Sequence, residues 1–389
     1  MIQEIVKNIY YCGIKDVQRK LFDELIPLPQ GTSYNSYVVE GTEKTALIDT
    51  CYPPKINEYI ENLTKNVKKI DYIIANHGEQ DHSGTIFAVL EKYPDAIVVT
   101  NAKCKEIIQD MVHVEEDKFK VVCDNEELEL GGKTLQFKIA PWVHWPDTMF
   151  TYIKEDELLF TCDFLGAHYT QFDLYSDDSQ ELLEAAKRYY AEIMMPFRTF
   201  CKKYVQMIKD MNVKTICPSH GAVYKNPSFI LDAYEKWTCD TPENIVVLPY
   251  VSMYGSTKLL VEDLKSKLEA KGITVKVFDL IQADIGEIAV ALVDAATLVL
   301  GSSMVLAGPH PAAVYAAFFV NALRPKLKNV SIIGSYGWGG NLAGKLQDIL
   351  APLKLQSLEG VIIKGKPKEE DFKKLDALVD AICEKHAEL

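Results

Sequence analysis

Ala75-Asn-His-Gly-Glu-Gln-Asp-His-Ser-Gly-Thr-Ile-Phe87 is the stretch on which the reading of this chain turns. It carries His77, Glu79, Asp81 and His82 in the spacing H-x-E-x-D-H. The residues before it, Ile70-Asp-Tyr-Ile-Ile-Ala75, are short, apolar and rich in β-branched side chains, which predicts a buried strand. The residues after it, Ile86 to Tyr93, predict the start of a helix. Four side chains able to bind metal are thus crowded into a tight turn at the carboxyl end of a strand. Imidazole and carboxylate together suit borderline and hard divalent ions. A polar surface loop could have the same composition, so the rest of the chain must decide.

Three further candidates each follow an apolar run. His144 lies in Pro141-Trp-Val-His-Trp-Pro-Asp-Thr-Met149, after Leu135-Gln-Phe-Lys-Ile-Ala140. Asp163 follows Glu157-Leu-Leu-Phe-Thr-Cys162, and His220 follows Thr215-Ile-Cys-Pro-Ser219 and precedes Gly221. Taken singly, a histidine beside tryptophans is packing and an aspartate after a strand is a turn. Taken together, ligands at the ends of several strands can converge on one loop-built site. The set is then His77, His82, His144 and His220 with Glu79, Asp81 and Asp163. Seven donors exceed the four that a tetrahedral zinc takes. They suit two metals with Asp163 bridging, and three carboxylates leave roughly one positive charge for a bound oxygen ligand. Asp49, ending Thr45-Ala-Leu-Ile, stays open between a turn acid and a site residue.

Around these residues the chain reads as long strands followed by alternating strand and helix. Tyr37 to Glu40, Thr45 to Asp49, Ala96 to Thr100, Lys118 to Val122, Leu128 to Leu130 and Thr134 to Ile139 have strand character. Ile56 to Val67 and Cys104 to Val112 have helical spacing. That pattern predicts a sandwich of two sheets with helices outside. The polar run Trp237-Thr-Cys-Asp-Thr-Pro-Glu-Asn244 marks a boundary, giving domains 1–241 and 242–389. Beyond it, strand and amphipathic helix alternate with small-residue loops after the strands, which predicts a doubly wound parallel sheet. The first loop, Ser252, Met253, Tyr254, Gly255, Ser256 and Thr257, offers hydroxyls and backbone N–H groups at a helix start, an arrangement that binds phosphate. Gly339 to Leu346 nearly matches a nucleoside-triphosphate loop, but Leu346 lacks the hydroxyl that would hold magnesium.

Composition narrows the function. The 389 residues are 48% apolar and 25% charged, as in ordinary globular proteins with filled cores. A net charge of −13 disfavours nucleic acid and anionic lipid as general partners. Nine scattered cysteines, with no C-x-x-C pair, argue against a disulfide framework and for a reducing cytoplasm. The same absence excludes an attached rubredoxin-type or zinc-ribbon module. No signal peptide is seen, and no run of about eighteen apolar residues predicts a membrane span.

The order H-x-E-x-D-H, H-W-P-D, D and H-G resembles the metallo-β-lactamase-like domain of the flavodiiron proteins, also called A-type flavoproteins. Gly31-Thr-Ser-Tyr-Asn-Ser-Tyr37 and Arg188-Tyr-Tyr-Ala-Glu-Ile193 extend the resemblance. Hydrolases of that fold usually carry histidine where this chain has Glu79, and the harder oxygen donor favours iron over zinc. The resemblance implies an α/β chain: an N-terminal metallo-β-lactamase-like αββα sandwich, then a C-terminal flavodoxin-like doubly wound parallel sheet. It implies two irons. His77, Glu79 and His144 would hold one, Asp81, His82 and His220 the other, and Asp163 would bridge. His168 matches a histidine near the metals that can donate a proton to a bound oxygen species, or simply be a satisfied pocket histidine. His113 and His386 match nothing and read as surface residues.

The motif S-x-x-G-x-T over Ser252 to Thr257 resembles the flavodoxin phosphate loop, which implies FMN. Ser303, Met304, Val305, Leu306, Ala307 and Gly308, and Ser335, Tyr336, Gly337, Trp338, Gly339 and Gly340, would take the places of the loops around the flavin ring. Many flavodoxin-like domains have Pro-Thr-Tyr in the middle loop, where this chain has Ser303-Met304-Val305. The implied activity is an oxidoreductase passing electrons from FMN to a diiron site that reduces dioxygen to water, or nitric oxide to nitrous oxide. Rubredoxin or a reduced deazaflavin would be the donor. A head-to-tail homodimer, or a dimer of such dimers, would bring each flavin near its partner's irons. The competing expectation is a zinc hydrolase with a flavodoxin-like accessory domain. A third is an electron carrier whose first domain is only structural.

Overall fold

A computed structural model describes residues 2–389, which fall into two compact units. One comprises the chain up to Tyr190 together with Phe197–Thr238; the other comprises Ala191–Pro196 and Cys239–Leu389.

The first unit is built on two sheets. The seven-stranded sheet runs, in spatial order, Gln3–Val6, Ile9–Tyr11, Tyr37–Glu40, Thr45–Ile48, Tyr72–Ile74, Ile97–Thr100 and Phe119–Val121. The five-stranded sheet runs Glu127–Glu129, Thr134–Ile139, Met149–Ile153, Leu158–Cys162 and Thr215–Pro218. Side chains alternate across a strand, so each sheet can bury both faces. In Thr45–Ile48, Ala46 and Ile48 join Leu135, Phe137, Met149 and Phe160 in the core between the sheets. Leu47 points the other way, into a core with Tyr59 and Leu63 of helix Ile56–Asn66 and with Ile108 of helix Ala102–Val112. Phe150, on the outer face of the second sheet, stacks on Phe164 at 5.8 Å and meets Tyr204 of helix Arg198–Met211 edge-on. The layers are therefore helix, sheet, sheet, helix.

The second unit has a parallel sheet in the order Thr274–Asp279, Glu243–Val251, Ala295–Val305, Asn329–Tyr336, with Gln356–Ser357 and Ile362–Lys364 both pairing the last of these. That places the second strand outside the first, the flavodoxin-like order, and its switch point lies between Glu243–Val251 and Ala295–Val305. Val246, Leu248, Val299 and Ile333 meet Leu260 and Leu264 of helix Ser256–Ala270, and Leu375, Leu378 and Ile382 of helix Glu369–His386.

Two expectations are corrected here. Ser303 to Gly308 is not an open loop: strand Ala295–Val305 runs on, turns at Leu306-Ala307 with positive φ, and pairs back through Met304↔Pro309 and Val305↔Gly308. His386 is not a surface residue. It is buried, with Nε2 2.8 Å from Thr297 Oγ1 and Nδ1 2.7 Å from Asn244 Oδ1. The side chains of Asn244 and Thr297, distant in sequence, give both ring nitrogens a partner, which makes burial tolerable. His113 is exposed, at the left-handed cap of helix Ala102–Val112.

Candidate metal centre

The loop after Tyr72–Ile74 is held by buried hydrogen bonds before any metal ligand is considered. Asp49 accepts from Asn76 N at 2.8 Å and from Asn76 Nδ2 at 3.1 Å. Asn76 Oδ1 accepts from Thr151 Oγ1, and Asn76 O accepts from Met149 N. The loop is thereby tied to both sheets. Asp49 also lies 3.3 Å from Ser219 Oγ, beside His220. Its carboxylate thus joins two ligand-bearing loops. Gln80–Ser83 then forms a short helical turn, which brings Asp81 and His82 inward as buried side chains.

All seven expected ligands converge. His77, Glu79, His144 and Asp163 place one donor atom each within 4.8 Å of one another, and so do Asp81, His82 and His220. Asp163 joins the groups by its two oxygens. Its Oδ2 lies 3.6 Å from His77 Nε2 and 3.4 Å from His144 Nε2. Its Oδ1 lies 2.9 Å from His82 Nε2 and 3.2 Å from His220 Nε2. Glu79 Oε2 is 3.2 Å from His77 Nε2 and 3.1 Å from His144 Nε2, while Asp81 approaches His82 at 3.2 Å and His220 at 3.3 Å.

These approaches are close without all being aligned as hydrogen bonds. Both Asp81 oxygens, Asp163 Oδ2, His82 Nε2 and His220 Nε2 are buried and lack a hydrogen-bond partner. Buried polar atoms left so are rare and costly. Donor atoms that converge on common points, rather than on one another, suit cations. The donor set itself, nitrogen and hard oxygen with no thiolate, fits iron. Cys162 is also near His82 and Asp163, but burial raises its thiol pKa well above the ordinary value, so it is held protonated.

Two of the imidazoles, those of His77 and His220, are oriented from behind. His77 Nδ1 is 3.0 Å from Asp147 Oδ2, which also accepts from Gly78 N at 2.7 Å. His220 Nδ1 donates to Ser33 O at 2.6 Å, leaving Nε2 for a metal. Burial opposes a proton on His77, but the Asp147 carboxylate outweighs it and raises the pKa well above the ordinary value. Burial likewise opposes charge on His144 and His220, yet the close Asp163 carboxylate, with Glu79 or Asp81 beside it, lifts them to about 9 and about 10. Burial works against ionisation of Asp163, and the surrounding imidazoles still hold it well below the carboxylate range. The cluster is built for compensating positive charge.

His168 lies beside the ligands rather than among them. Its ring is 5.2 Å from that of His220 and 4.8 Å from that of Tyr189. Its Nδ1 is 2.9 Å from Thr32 Oγ1, and its buried Nε2 has no partner. Burial, with His220 nearby, lowers its pKa and keeps it neutral. Tyr189 donates to Asp163 Oδ1 at 3.0 Å.

Sequence reasoning assigned no role to Asp147, Thr32, Ser33 or Tyr189, although all four lie in the stretches that carry the family resemblance. Asp49 was left open. The signal available for Asp147 was its place three residues after His144 in a loop that returns to the ligands.

In the second unit, the three expected segments lie at the carboxyl ends of neighbouring strands Glu243–Val251, Ala295–Val305 and Asn329–Tyr336, the second and third beginning within the strands themselves. Thr257 Oγ1 is 2.8 Å from Ser335 Oγ, joining the first loop to the third. Gly255 has φ +87° and, as the N-cap of the helix that starts at Ser256, has no side chain to cap it. Ser252 Oγ accepts from Lys258 N at 3.2 Å, which leaves the N–H groups of Ser256 and Thr257 for an anion. Met253, Tyr254, Leu306 and Trp338 stand exposed around this edge. The helix Leu342–Leu350 differs: Asn341 Oδ1 accepts from Gly344 N at 2.9 Å and already caps its start.

Comparison with known proteins agrees with this geometry. Residues 32–221 match the model of the ODP family beta lactamase. The chain is 32% identical over 380 residues to a nitric oxide reductase of Moorella thermoacetica, covering 95% of each. It is 30% identical to a coenzyme F420H(2) oxidase of Methanothermobacter marburgensis, covering 90% of each. The rubredoxin:oxygen oxidoreductase of Desulfovibrio gigas superposes with a TM-score of 0.95 at 26% identity, over 100% of this chain and 99% of that one.

Proposed function

Since the chain belongs to the flavodiiron proteins, a family of oxidoreductases, we propose that it passes electrons through FMN to a pair of irons and on to dioxygen, with nitric oxide as the other substrate. The carrying observation is Asp163, one carboxylate oxygen at each of two histidine–carboxylate groups. His77, Glu79, His144 and Asp163 Oδ2 would hold one iron; Asp81, His82, His220 and Asp163 Oδ1 the other. Two irons and one flavin, when bound, together store the four electrons that convert dioxygen to two waters, or the two that join two nitric oxide molecules.

The residues around the irons then have distinct tasks. Asp147 and the Ser33 carbonyl fix the rings of His77 and His220 so that each presents Nε2. Tyr189 holds Asp163 Oδ1 by a hydrogen bond. His168, uncharged and held at Nδ1 by Thr32, keeps a buried Nε2 without a partner and would hydrogen-bond to bound substrate. Ser252 to Thr257 would take the FMN phosphate, and the segments at Ser303–Gly308 and Ser335–Gly340 would flank its ring.

The functional division would fall at 1–241 for the diiron domain and 242–389 for the flavin domain. Rubredoxin or a reduced deazaflavin would supply electrons, as the names of two relatives suggest. A head-to-tail homodimer in the cytoplasm completes the reading. Among the described residues no helix is long and apolar enough to cross a membrane. The zinc-hydrolase alternative is disfavoured, because Glu79 replaces the usual histidine.

Anaerobic purification followed by metal and flavin analysis tests the reading. About two irons per chain, the number that seven ligands with Asp163 shared between the groups imply, and a full complement of FMN are expected. Zinc in place of iron, or a protein that binds no flavin, would refute it. Stopped-flow mixing of the reduced protein with each gas ranks the substrates.

A further inference from the structure

A second reactive cluster lies at the other end of the parallel sheet from the flavin loops. Cys239, Asp294 and Lys326 occupy the segments that lead into Glu243–Val251, Ala295–Val305 and Asn329–Tyr336. These strands are neighbours in the sheet, so the topology brings three sequence-distant segments together. Glu243 N donates to Asp294 O, and Lys328 N donates to Ala296 O, which pins the segments to one another.

Lys326 is the unusual member. Its side chain is only 2% exposed, and its Nζ lies 3.3 Å from Cys239 Sγ and 3.6 Å from Asp294 Oδ1. Lysine is almost never so buried without a partner of specific chemistry. Six of the other cysteines are buried, whereas Cys239 is half-buried, within reach of a small oxidant, with its sulfur also 3.2 Å from Thr241 O. A thiol and an amine are thus held nearly in contact, with a carboxylate beside the amine. Their separation is one that a single oxygen atom can span after a small movement.

We infer that Cys239 and Lys326 are a redox modification site, closing under dioxygen into a covalent sulfur–oxygen–nitrogen bridge. The balance is a thiol, an ammonium and one dioxygen giving the bridge, one water and one proton. Sulfur and nitrogen each give up two electrons, and dioxygen takes four. One oxygen atom stays between sulfur and nitrogen. The other leaves as water with the thiol proton and one proton from nitrogen. Asp294 is placed to receive the remaining ammonium proton. Four electrons from two dithiol molecules reverse the process and release one water. The bridge ties Cys239, where the chain re-enters the second unit, to the segment entering Asn329–Tyr336, so oxygen exposure staples that unit. The inference goes beyond the diiron reading and holds whether or not the metal ligands are assigned correctly.

The test uses the full chain, purified without oxygen or added thiol and divided in two. One half is exposed to air-saturated buffer, and both are digested and mapped by mass spectrometry. The air-exposed half should yield a Cys239 peptide joined to a Lys326 peptide, heavier than their sum by one oxygen less two hydrogens. Dithiothreitol should split it into the unmodified pair, and Cys239→Ser and Lys326→Met should each abolish it while iron and FMN content stay unchanged. An air-exposed digest with Cys239 still a thiol overturns the inference. So does Cys239 found as sulfenic acid, sulfinic acid or a disulfide beside an unmodified Lys326. Should Lys326→Met fail to fold, the wild-type map with Cys239→Ser still decides.

Discussion

Replacing Asp147 by asparagine separates the two metal positions. Asp147 is buried, and its Oδ2 serves both His77 Nδ1 at 3.0 Å and Gly78 N at 2.7 Å. An asparagine oxygen can occupy the same place, so the loop keeps its shape. The charge is lost, and the new amide N–H group falls where Asp147 Oδ1 sits without a hydrogen-bond partner. A hydrogen bond to a charged group contributes about 1.5–3 kcal/mol. Loss of a carboxylate behind a ligating histidine lowers metal affinity about 10–100-fold, which is about 1.4–2.8 kcal/mol. The two figures agree. The loss should fall on the iron held by His77, because His220 is oriented by the backbone carbonyl of Ser33, which the substitution does not touch. Anaerobic titration of the metal-free variant with ferrous ion, in competition with a chelator, measures both affinities. One site should weaken by the stated factor and the other should keep its wild-type value. Equal weakening of both sites, or of neither, would show that Asp147 does not act through His77.

Asp163→Ala removes one oxygen from each group at once, so both irons should bind more weakly than either does in Asp147→Asn, and magnetic coupling between them should vanish from the Mössbauer spectrum. Retention of a coupled pair would remove Asp163 as the bridge. For pH, the folded pKa values of His144 and His220 in the metal-free protein are raised from 6.5 to about 9 and about 10. Their stabilisation is fully present below pH 6.5 and is lost as pH rises through those values. The metal-free protein should therefore melt at progressively lower temperature across that window, while the iron-loaded protein, whose ligands face cations, should not; parallel curves would contradict the assignment. Gly78→Ala places a Cβ 2.6 Å from Ile107 Cγ2. Overpacking of that kind costs about 1–3 kcal/mol, read as a lower melting temperature, and a neutral result would mean that the loop shifts freely.

Much of the site was legible because metal chemistry is concentrated in a few residue types. His77, Glu79, Asp81 and His82 stand within six residues, and His144, Asp163 and His220 each follow an apolar run that reads as a strand. Helix and strand periods marked the two-sheet sandwich and the parallel sheet for the same reason: each element must bury one face or both. The segments expected to bind flavin were chosen by their glycines and serines, but the hairpin at Leu306-Ala307 was not foreseen, since neither residue signals a turn with positive φ.

From sequence alone the chain declared a candidate set of donors, its layers and its family, because donor atoms and hydrophobic periods are local properties that survive without coordinates. Only the folded structure decided which oxygen of Asp163 faces which group, that Asp147 and Ser33 orient the rings, and that His386 is buried between Thr297 and Asn244. It also brought Lys326 to Cys239 across 87 positions of sequence. Those pairings arise where strands distant in the chain become neighbours in a sheet, and no spacing along the chain encodes that proximity.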